Sequence, residues 1–438
     1  MKHVAVIGAG MAGAGAAWRL HRAGHRVTVY EKEAFAGGRT HTHRGDGFHV
    51  NTGAGFFTNF YPRLRRLIRE LDLESEVIEN PKVVTLATPD RRYDYHLDSV
   101  RSFWGIPWLR LSDKARMLRH TAGLTLKKRS LDLADVRTLA ARDTQSIREN
   151  ALRKVGARNY AYLIRTAVEP YWYFSCAEAS VALADALQAH AVGARFFSLH
   201  SGMDRVVGRM LRDLPIHYAT AVASVTHSDD KSVRVQPVHG EAQDYAAVVV
   251  ATPAAAARNL LRAGNQLPGR AQTFLASQRY AANINAYFYL PERLLADLAP
   301  QTSPCGGYDD ELAAIATHGS RIDPQRHPAK GILGVWLTDA ASRSRLAMAE
   351  ADLAEFLWRR VRKYYPEFPP ERPELAHLTR RAEAIPLHAP GRFRDAARIW
   401  EEQRGPVVLA GDYLGTATME GALQTGYRAA DILLEQWK

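Results

Sequence analysis

Three glycines and one glutamate near the start of the chain have the types and spacing of a dinucleotide-binding site. Gly8, Gly10 and Gly13 form a GxGxxG pattern, and Glu31 lies further along. The first glycine permits a tight turn, the second lets the backbone approach a pyrophosphate, and the third lets a helix pack closely on a strand. An acidic side chain at the later position accepts hydrogen bonds from ribose hydroxyls and repels a 2′-phosphate. The pattern therefore predicts a dinucleotide without that phosphate.

The segments that must position these residues read as strand, turn, helix and strand. Residues 4–7 are an apolar, valine-containing run that ends at the glycines, residues 14–23 have a helical composition, and residues 26–30 form a second strand that ends at the glutamate. The helix N-terminus offers unpaired N–H groups and a positive dipole end to phosphates. This context separates the pattern from a glycine-rich turn that binds nothing.

Two more glycine-rich segments follow, Gly-Gly-Arg-Thr at residues 37–40 and Asn-Thr-Gly-Ala-Gly-Phe at residues 51–56. With them, the sequence resembles the flavoprotein superfamily of amine oxidases, protoporphyrinogen oxidases and phytoene-type desaturases. The resemblance implies FAD as the cofactor. The contacts it implies in this part of the chain are Gly8, Gly10, Ala12, Gly13, Glu31, Lys32, Gly38, Arg39, Gly53, Ala54, Gly55 and Phe56.

Two later segments carry the same resemblance. Residues 405–412 read as a buried strand that runs into a Gly-Asp turn, a helix starts near residue 418, and residues 246–253 read as another strand. In the family, the turn lies near the ribityl-pyrophosphate, and the helix N-terminus faces the pyrimidine edge of the flavin, where it stabilises negative charge. The contacts implied here are Val222, Ala251, Gly411, Asp412, Thr418, Met419 and Ala422.

The segments that resemble the family are separated along the chain, which predicts two interleaved domains. We expect an α/β fold with a Rossmann-like FAD-binding domain, a parallel sheet with helices, from residues 1–75, 195–265 and 385–438. Residues 76–194 and 266–384 are expected to form a mixed α+β substrate-binding domain.

Asn285 and Tyr173 are the candidate catalytic residues on the substrate face. Residues 280–291 resemble the strand that, in many amine oxidases, carries a lysine bridging through water to flavin N5, and Asn285 takes its apparent place. Tyr173 belongs to the aromatic run 169–174, a candidate wall for a flat or extended apolar substrate. A solvent-facing residue on an edge strand and ordinary core aromatics are the alternatives. In some amine oxidases of the family a cysteine in the segment that matches residues 416–421 attaches the flavin covalently. This segment contains no cysteine, so the resemblance implies non-covalent FAD.

These features predict an FAD-dependent oxidase or dehydrogenase of the desaturase kind. It would remove hydride from an activated C–H, allylic or next to nitrogen, to flavin N5, with oxygen or a quinone-like acceptor reoxidising the cofactor. The departures from the amine-oxidase pattern favour a protoporphyrinogen-like or isoprenoid-like substrate. Two alternatives stay open. One is an amine or amino-acid oxidase of secondary metabolism, for which the sequence identifies no carboxylate-binding arginine, and the other is a redox-neutral flavin-dependent isomerase or cyclase.

The positive charge of the chain is concentrated in one segment. The 438 residues contain 58 Lys and Arg against 46 Asp and Glu, a formal net charge of +12. Much of the excess lies within residues 101–129, in the substrate half, which argues against nucleic acid as a partner. The partner expected instead is a small apolar or acidic substrate.

Residues 101–129 also contain a predicted amphipathic helix. Ser112 is its expected N-cap, and an apolar stripe of Leu111, Ala115, Leu118 and Ala122 follows Trp104 and Trp108. Such a helix fits peripheral contact with an anionic membrane. The alternatives are a helix whose stripe lies in the core, and a basic rim that attracts an acidic substrate.

The remaining composition favours a cytoplasmic protein without a metal. There are two cysteines, too few for a disulfide framework, and no apolar run of membrane-spanning length or secretory signal is expected. His41, His43 and His49 lie close together but have no carboxylate pattern to complete a metal site.

Overall fold

The structure is a computed structural model that describes residues 1–45, 48–229, 232–262, 267–317 and 329–438. Its strands, numbered in chain order, are β1 His3–Ile7, β2 Arg26–Tyr30, β3 Thr42–Gly45, β4 Phe48–Asn51, β5 Phe57–Thr58, β6 Val77–Glu79, β7 Val83–Thr88, β8 Arg91–His96, β9 Phe196–Leu199, β10 Ile216–His217, β11 Val222–Asp229, β12 Ser232–Pro237, β13 Gln243–Tyr245, β14 Ala247–Val250, β15 Tyr280–Pro291, β16 Gln301–Pro304, β17 Leu312–Ala316, β18 Lys330–Leu337, β19 Leu375–Pro386 and β20 Val407–Leu409.

The helices of the same ranges are α1 Met11–Arg22, α2 Pro62–Glu70, α3 Val100–Gly105, α4 Leu111–Thr125, α5 Val136–Ala140, α6 Ile147–Lys154, α7 Ala157–Asn159, α8 Arg165–Trp172, α9 Val181–Ala189, α10 Arg205–Leu211, α11 Ala254–Arg262, α12 Gly269–Ala276, α13 Asp339–Arg343, α14 Glu350–Tyr364, α15 Arg392–Glu402 and α16 Met419–Gln436. None of them is long and apolar enough to cross a bilayer, a finding that covers the described part of the chain.

A five-stranded parallel sheet forms the first core. Its order is β10-β2-β1-β14-β20, so strands from the beginning, middle and end of the chain lie side by side. Val6 lies opposite Val29 on one side and Val249 on the other. Strand β14 is apolar and buried along its whole length, and β2 is buried from Val27 to Tyr30, as expected for a parallel sheet covered on both faces. The expected α/β fold class is confirmed.

A seven-stranded mixed sheet forms the second core, in the order β19-β15-β18-β17-β16-β7-β8. Its pairs are antiparallel except β16 with β7. Helix α14 contributes Leu353, Leu357 and Trp358 to the hydrophobic cluster that covers this sheet. Smaller sheets are formed by β11-β12-β13, β5-β9-β6 and β3-β4.

Helix α4 differs from the expectation in its cap and in its orientation. It starts at Leu111, and the N–H of Arg110 donates to Asp113 Oδ2 at 3.1 Å, so Ser112 lies inside the first turn instead of capping it. The Lys114 ammonium is turned inward because it donates to the Trp104 carbonyl at 2.5 Å. The polar side of the helix therefore packs on the protein.

As a result, the apolar stripe of α4 faces outward. Leu111 is 73% exposed and Leu118 is 44% exposed, and Ala115 and Ala122 are exposed as well. The alternative in which this stripe lies in the core does not hold.

Candidate active site

A cavity of about 1340 Å³ runs from the glycine turn after β1 to the mixed sheet. Its volume exceeds the roughly 300–1,000 Å³ of a pocket for a single drug-sized ligand, so it has room for a dinucleotide and a second molecule. Its walls come from both sheets and from the helices between them.

The glycine turn has the backbone that the pattern requires. Gly8 has φ +102°, and a Cβ there would lie 2.8 Å from the Ala251 carbonyl oxygen. A Cβ on Gly13 would lie 1.8 Å from the Gly8 carbonyl oxygen, so this glycine allows α1 to pack on the turn. At Gly10, by contrast, a Cβ would meet no atom within 4 Å, and the residue lines the cavity. The turn therefore leaves open space where a ligand would approach its backbone.

Glu31 lies in the cavity wall at the end of β2. Its carboxylate accepts from the N–H of Ala9 at 2.7 Å and from the N–H of Glu33 at 3.0 Å, which fixes it beside the turn. The N–H of Gly37 donates to the Ala9 carbonyl at 2.8 Å, so the Gly-Gly-Arg segment lies against the same turn. Lys32, next to Glu31, lines the cavity with a largely exposed side chain.

A partly buried ion pair joins the N-terminal and C-terminal parts of the site. Arg39 donates to Asp412 Oδ1 at 2.7 Å and to the Ala384 carbonyl at 3.1 Å. Burial acts to lower the pKa of Arg39, but the charge and hydrogen bond of Asp412 outweigh it, and the pKa is raised on balance. The guanidinium stays charged. A Cβ on Gly53 would lie 2.1 Å from the Arg39 carbonyl oxygen, so only glycine allows residues 51–56 to lie this close.

Two helix N-termini open on the cavity. Gly10 is the N-cap residue of helix α1 and provides no side-chain cap, and the first turn of this helix contains no acidic residue. Helix α16 is capped by Thr418, whose hydroxyl accepts from the Gly421 N–H at 2.9 Å. The two helices pack closely, since a Cβ on Gly426 would lie 2.0 Å from the Ala12 carbonyl oxygen. Both positive helix ends therefore face the same space, which suits an anionic ligand.

The structure places nearly all the expected cofactor contacts around this cavity. Those that line it are Gly8, Gly10, Ala12, Glu31, Lys32, Gly38, Arg39, Gly53, Ala54, Gly55, Phe56, Val222, Ala251, Gly411, Asp412, Thr418, Met419 and Ala422. Gly13 lies behind the turn.

Aromatic side chains form the other end of the cavity. Tyr173 lines it, with Tyr171 and Trp172 from the same run. Tyr173 has φ +64° at the end of α8, and burial raises its pKa. Trp172 donates its indole N–H to the Ala417 carbonyl at 3.0 Å, and the rings of Phe56 and Tyr171 meet with centroids 5.5 Å apart. Tyr173 thus belongs to the aromatic end of the cavity.

Asn285 lies behind the cavity wall. It is 2% exposed on β15, an interior strand, so it is not a solvent-facing residue of an edge strand. Its amide N–H donates to Asn283 Oδ1 at 3.1 Å, and Asn283 donates to the Leu337 carbonyl at 3.0 Å. Asn283 itself lines the cavity. Asn285 is thus connected by one hydrogen bond to a residue that lines the cavity.

Sequence reasoning did not select Arg381, which the structure brings into the cavity. It lies on β19, directly opposite Asn283 of β15. The signal that could have indicated it is the pair of arginines at residues 380–381, but that Arg381 faces the cavity follows only from the structure.

The histidines near the start of the chain are not gathered as metal ligands. His43 stacks on His377 with ring centroids 4.1 Å apart, and His41 stacks on Phe35 at 3.8 Å. Within the described ranges, no three His, Cys, Asp or Glu side chains are placed to hold a metal ion.

Known proteins with related sequences match short stretches of the chain. The coproporphyrinogen III oxidase of Propionibacterium freudenreichii subsp. freudenreichii is 41% identical over 76 residues, which cover 17% of this chain and 14% of that protein. The L-amino-acid oxidase of Vipera ammodytes ammodytes is 45% identical over 73 residues, 16% of this chain and 14% of that protein. The matches thus span only a small part of these relatives.

Solved structures match over the whole chain. A protein from Exiguobacterium sp. 255-15, provisionally assigned as a protoporphyrinogen oxidase, superposes with a TM-score of 0.77 at 16% identity, covering 100% of this chain and 99% of that one. Cyclohexylamine oxidase from Brevibacterium oxydans IH-35A gives 0.75 at 17% identity, with 100% and 99% coverage. The model of the flavin containing amine oxidoreductases matches residues 11–434. The chain therefore belongs to the flavin-containing amine oxidoreductase family.

Proposed function

We propose that this protein is an FAD-dependent oxidoreductase that removes hydride from an activated C–H of a largely apolar substrate. The observation that carries the proposal is the single cavity, which joins a dinucleotide cradle to an aromatic wall. Family membership supports the flavin chemistry.

The residues of the cradle fit FAD. The open space at Gly10 and the uncapped start of α1 suit a pyrophosphate, and Glu31 suits a ribose that carries no 2′-phosphate. The start of α16 at Thr418 suits the negative charge of a reduced flavin ring. Bound there, FAD supplies a hydride acceptor at N5. Neither cysteine lines the cavity, which supports non-covalent binding.

The chain's own task is then to hold the substrate and exclude water. Tyr171, Trp172, Tyr173 and Trp336 present flat apolar surface to it. Such walls favour a protoporphyrinogen-like or isoprenoid-like substrate over a small amine. The short match to a coproporphyrinogen III oxidase is consistent with this choice. Equally short matches to L-amino-acid oxidases and the resemblance to cyclohexylamine oxidase keep an amine or an amino acid as the second candidate.

Spectroscopy of the purified protein tests the proposal. We expect a yellow protein whose flavin is released by acid precipitation and is bleached anaerobically by a porphyrinogen or a carotenoid precursor. A colourless protein that takes up no FAD would contradict the proposal. Bleaching by an amine alone would overturn the choice of substrate, and turnover without net electron transfer would favour an isomerase or cyclase.

The outward-facing stripe of α4 supports a second element of the proposal, contact with an anionic membrane. Val100 and Leu118 both line the cavity and lie on the surface, at 73% and 44% exposure, so they form part of its mouth. Arg101, Arg110 and Arg119 are exposed around them. Apolar side chains within a basic surface match the chemistry of an anionic lipid bilayer. A cytoplasmic protein of this kind would take an apolar substrate directly from the bilayer.

Co-sedimentation with vesicles of phosphatidylcholine, with or without phosphatidylserine, tests the contact. We expect binding that needs phosphatidylserine, weakens with salt and is lost when Leu111 and Leu118 are both changed to Ser. Val238→Ser, at an exposed valine (53%) on another surface, is the matched control and should bind normally. Equal sedimentation with both vesicle types, or an unchanged double variant, would refute the contact.

A further inference from the structure

The guanidinium of Arg381 lies inside the cavity and has no carboxylate partner among the described residues. It donates to the Thr52 hydroxyl at 3.2 Å, while its Nε atom is buried and has no hydrogen-bond partner among the described residues. Within the same part of the chain, no carboxylate lies within 4.0 Å of it. Arg39, the other guanidinium of the cavity, is neutralised by Asp412. Of these two guanidiniums, Arg381 is therefore the one without an ion-pair partner among the described residues.

The surroundings of the half-buried Arg381 satisfy its hydrogen-bonding groups only in part. Tyr173 and Tyr287 lie close enough for its charge to act on their hydroxyls, but the Tyr287 hydroxyl already donates to the Asn51 carbonyl at 2.7 Å. Burial and the charge of Arg39 lower the pKa of Arg381, and Glu33 opposes this only in part. An ionised group that is desolvated without a partner costs free energy, which an incoming anion would recover.

We propose that Arg381 binds a carboxylate of the substrate, so that the substrate is an apolar molecule that carries at least one carboxylate. This inference rests on the proposed function, since it names the substrate class of the same cavity. The planar guanidinium offers parallel N–H groups that match a carboxylate in a bidentate pair. The aromatic wall at Tyr173 would then cover the apolar body, and the charge would fix which end of the molecule enters first.

Asn283 fits the same role as a positioning residue. It lies opposite Arg381 in the β15–β19 pair and is itself held by the Leu337 carbonyl and by Asn285. The two buried amides brace β15, the strand that pairs with the one carrying the guanidinium.

Two probes test the proposal, 1-pyrenebutyrate and 1-pyrenebutanol, which share the apolar body and end in a carboxylate and an uncharged alcohol. Each is titrated calorimetrically into the 438-residue protein. We expect the wild type to prefer the carboxylate. Arg381→Gln should weaken carboxylate binding roughly 10- to 100-fold, the usual strength of a charge-assisted hydrogen bond, and leave the alcohol within about 2-fold. Arg381→Lys should recover part of the loss because it keeps the charge.

Arg380→Gln is the matched control. Arg380 is the exposed neighbour of Arg381 on the same strand, and it donates to the Met348 carbonyl at 2.8 Å. This variant loses the same charge one residue away and should keep the wild-type preference. Thermal melting of each variant shows that it is folded before it is titrated.

Three results would overturn the proposal. The wild type could bind the two probes equally well, or Arg381→Gln could lose affinity for both probes to the same extent. The third is that Arg381→Gln loses its FAD but still prefers the carboxylate probe. The last result would assign Arg381 to the cofactor instead. FAD content is read separately from the 450 nm absorbance. A colourless wild type that still prefers the carboxylate would refute the proposed function and leave this inference standing.

Discussion

Adding one methyl group at Gly10 should weaken FAD binding while leaving the apoprotein folded. Gly10 has φ −79° and ψ −177°, an extended backbone that alanine adopts without strain. Its added Cβ would meet no protein atom within 4 Å. The methyl group would instead occupy the space at the start of α1 that the cofactor's pyrophosphate requires.

The size of the effect follows from what the methyl group displaces. Losing one hydrogen bond to a charged phosphate costs about 1.5–3 kcal/mol, which raises the Kd for FAD roughly 10- to 150-fold. In the apoprotein, an alanine N-cap is slightly worse than glycine, but the stiffer unfolded chain offsets this by about 0.4–1 kcal/mol. The free energy of unfolding should therefore change by less than about 0.5 kcal/mol.

The assay is a fluorescence titration of deflavinated wild type and Gly10→Ala with FAD, together with urea unfolding of both apoproteins. Equal FAD affinities would refute the reasoning, because the pyrophosphate would then not lie against this backbone. A large loss of apoprotein stability would refute it in another way, because the space at Gly10 would not be open.

Three further predictions concern the scaffold of the site. Gly13→Ala should destabilise the apoprotein by about 1–3 kcal/mol in urea unfolding, because its Cβ would lie 1.8 Å from the Gly8 carbonyl oxygen. The control Gly123→Ala, at a position on α4 with open space around it, should stabilise the apoprotein by about 0.5–1 kcal/mol. Equal effects of the two substitutions would contradict the close packing at Gly13. Asp412→Asn should lower the free energy of unfolding by about 1–3 kcal/mol, because it leaves the half-buried Arg39 without its carboxylate, and an unchanged urea midpoint would count against the pair. Burial lowers the pKa of His388 to about 4, so between about 4 and 6.5 the unfolded chain binds a proton that the folded chain does not, and stability should rise with pH across this window. His388→Leu should flatten that rise in unfolding measured at pH 4.5, 5.5 and 7, and parallel pH profiles of the two proteins would argue against it.

The cofactor half was predictable because its rules are local. A strand, three glycines and a helix specify the turn between β1 and α1 within a few residues, and the contacts at Gly8 and Gly13 are those that the spacing requires. The α/β class followed from the same pattern. The C-terminal segment was found through resemblance, since nothing local in Asp412 indicates that it pairs with Arg39.

The substrate half was less predictable because its geometry depends on distant pairings. Arg381 reaches the cavity only through the pairing of β19 with β15, and the sequence places its partner Asn283 far away along the chain. Asn285 was selected, but it is Asn283, two residues earlier, that lines the cavity. The spacing of apolar residues in α4 showed a stripe, yet which side faces inward depends on the partners of Asp113 and Lys114. Periodicity alone cannot choose that direction.

The order of strands in the parallel sheet also has a consequence for how the protein is made. During synthesis β2 follows β1 out of the ribosome within about 20 residues, but β14, the other neighbour of β1, follows about 240 residues later, a delay on the order of ten seconds or more. Throughout that time one edge of a valine-rich strand has no partner, which exposes the nascent chain to aggregation. The cradle is completed only after α16, about 400 residues beyond α1, has been made and has docked on α1. Its ligand can therefore be captured only from that point in synthesis.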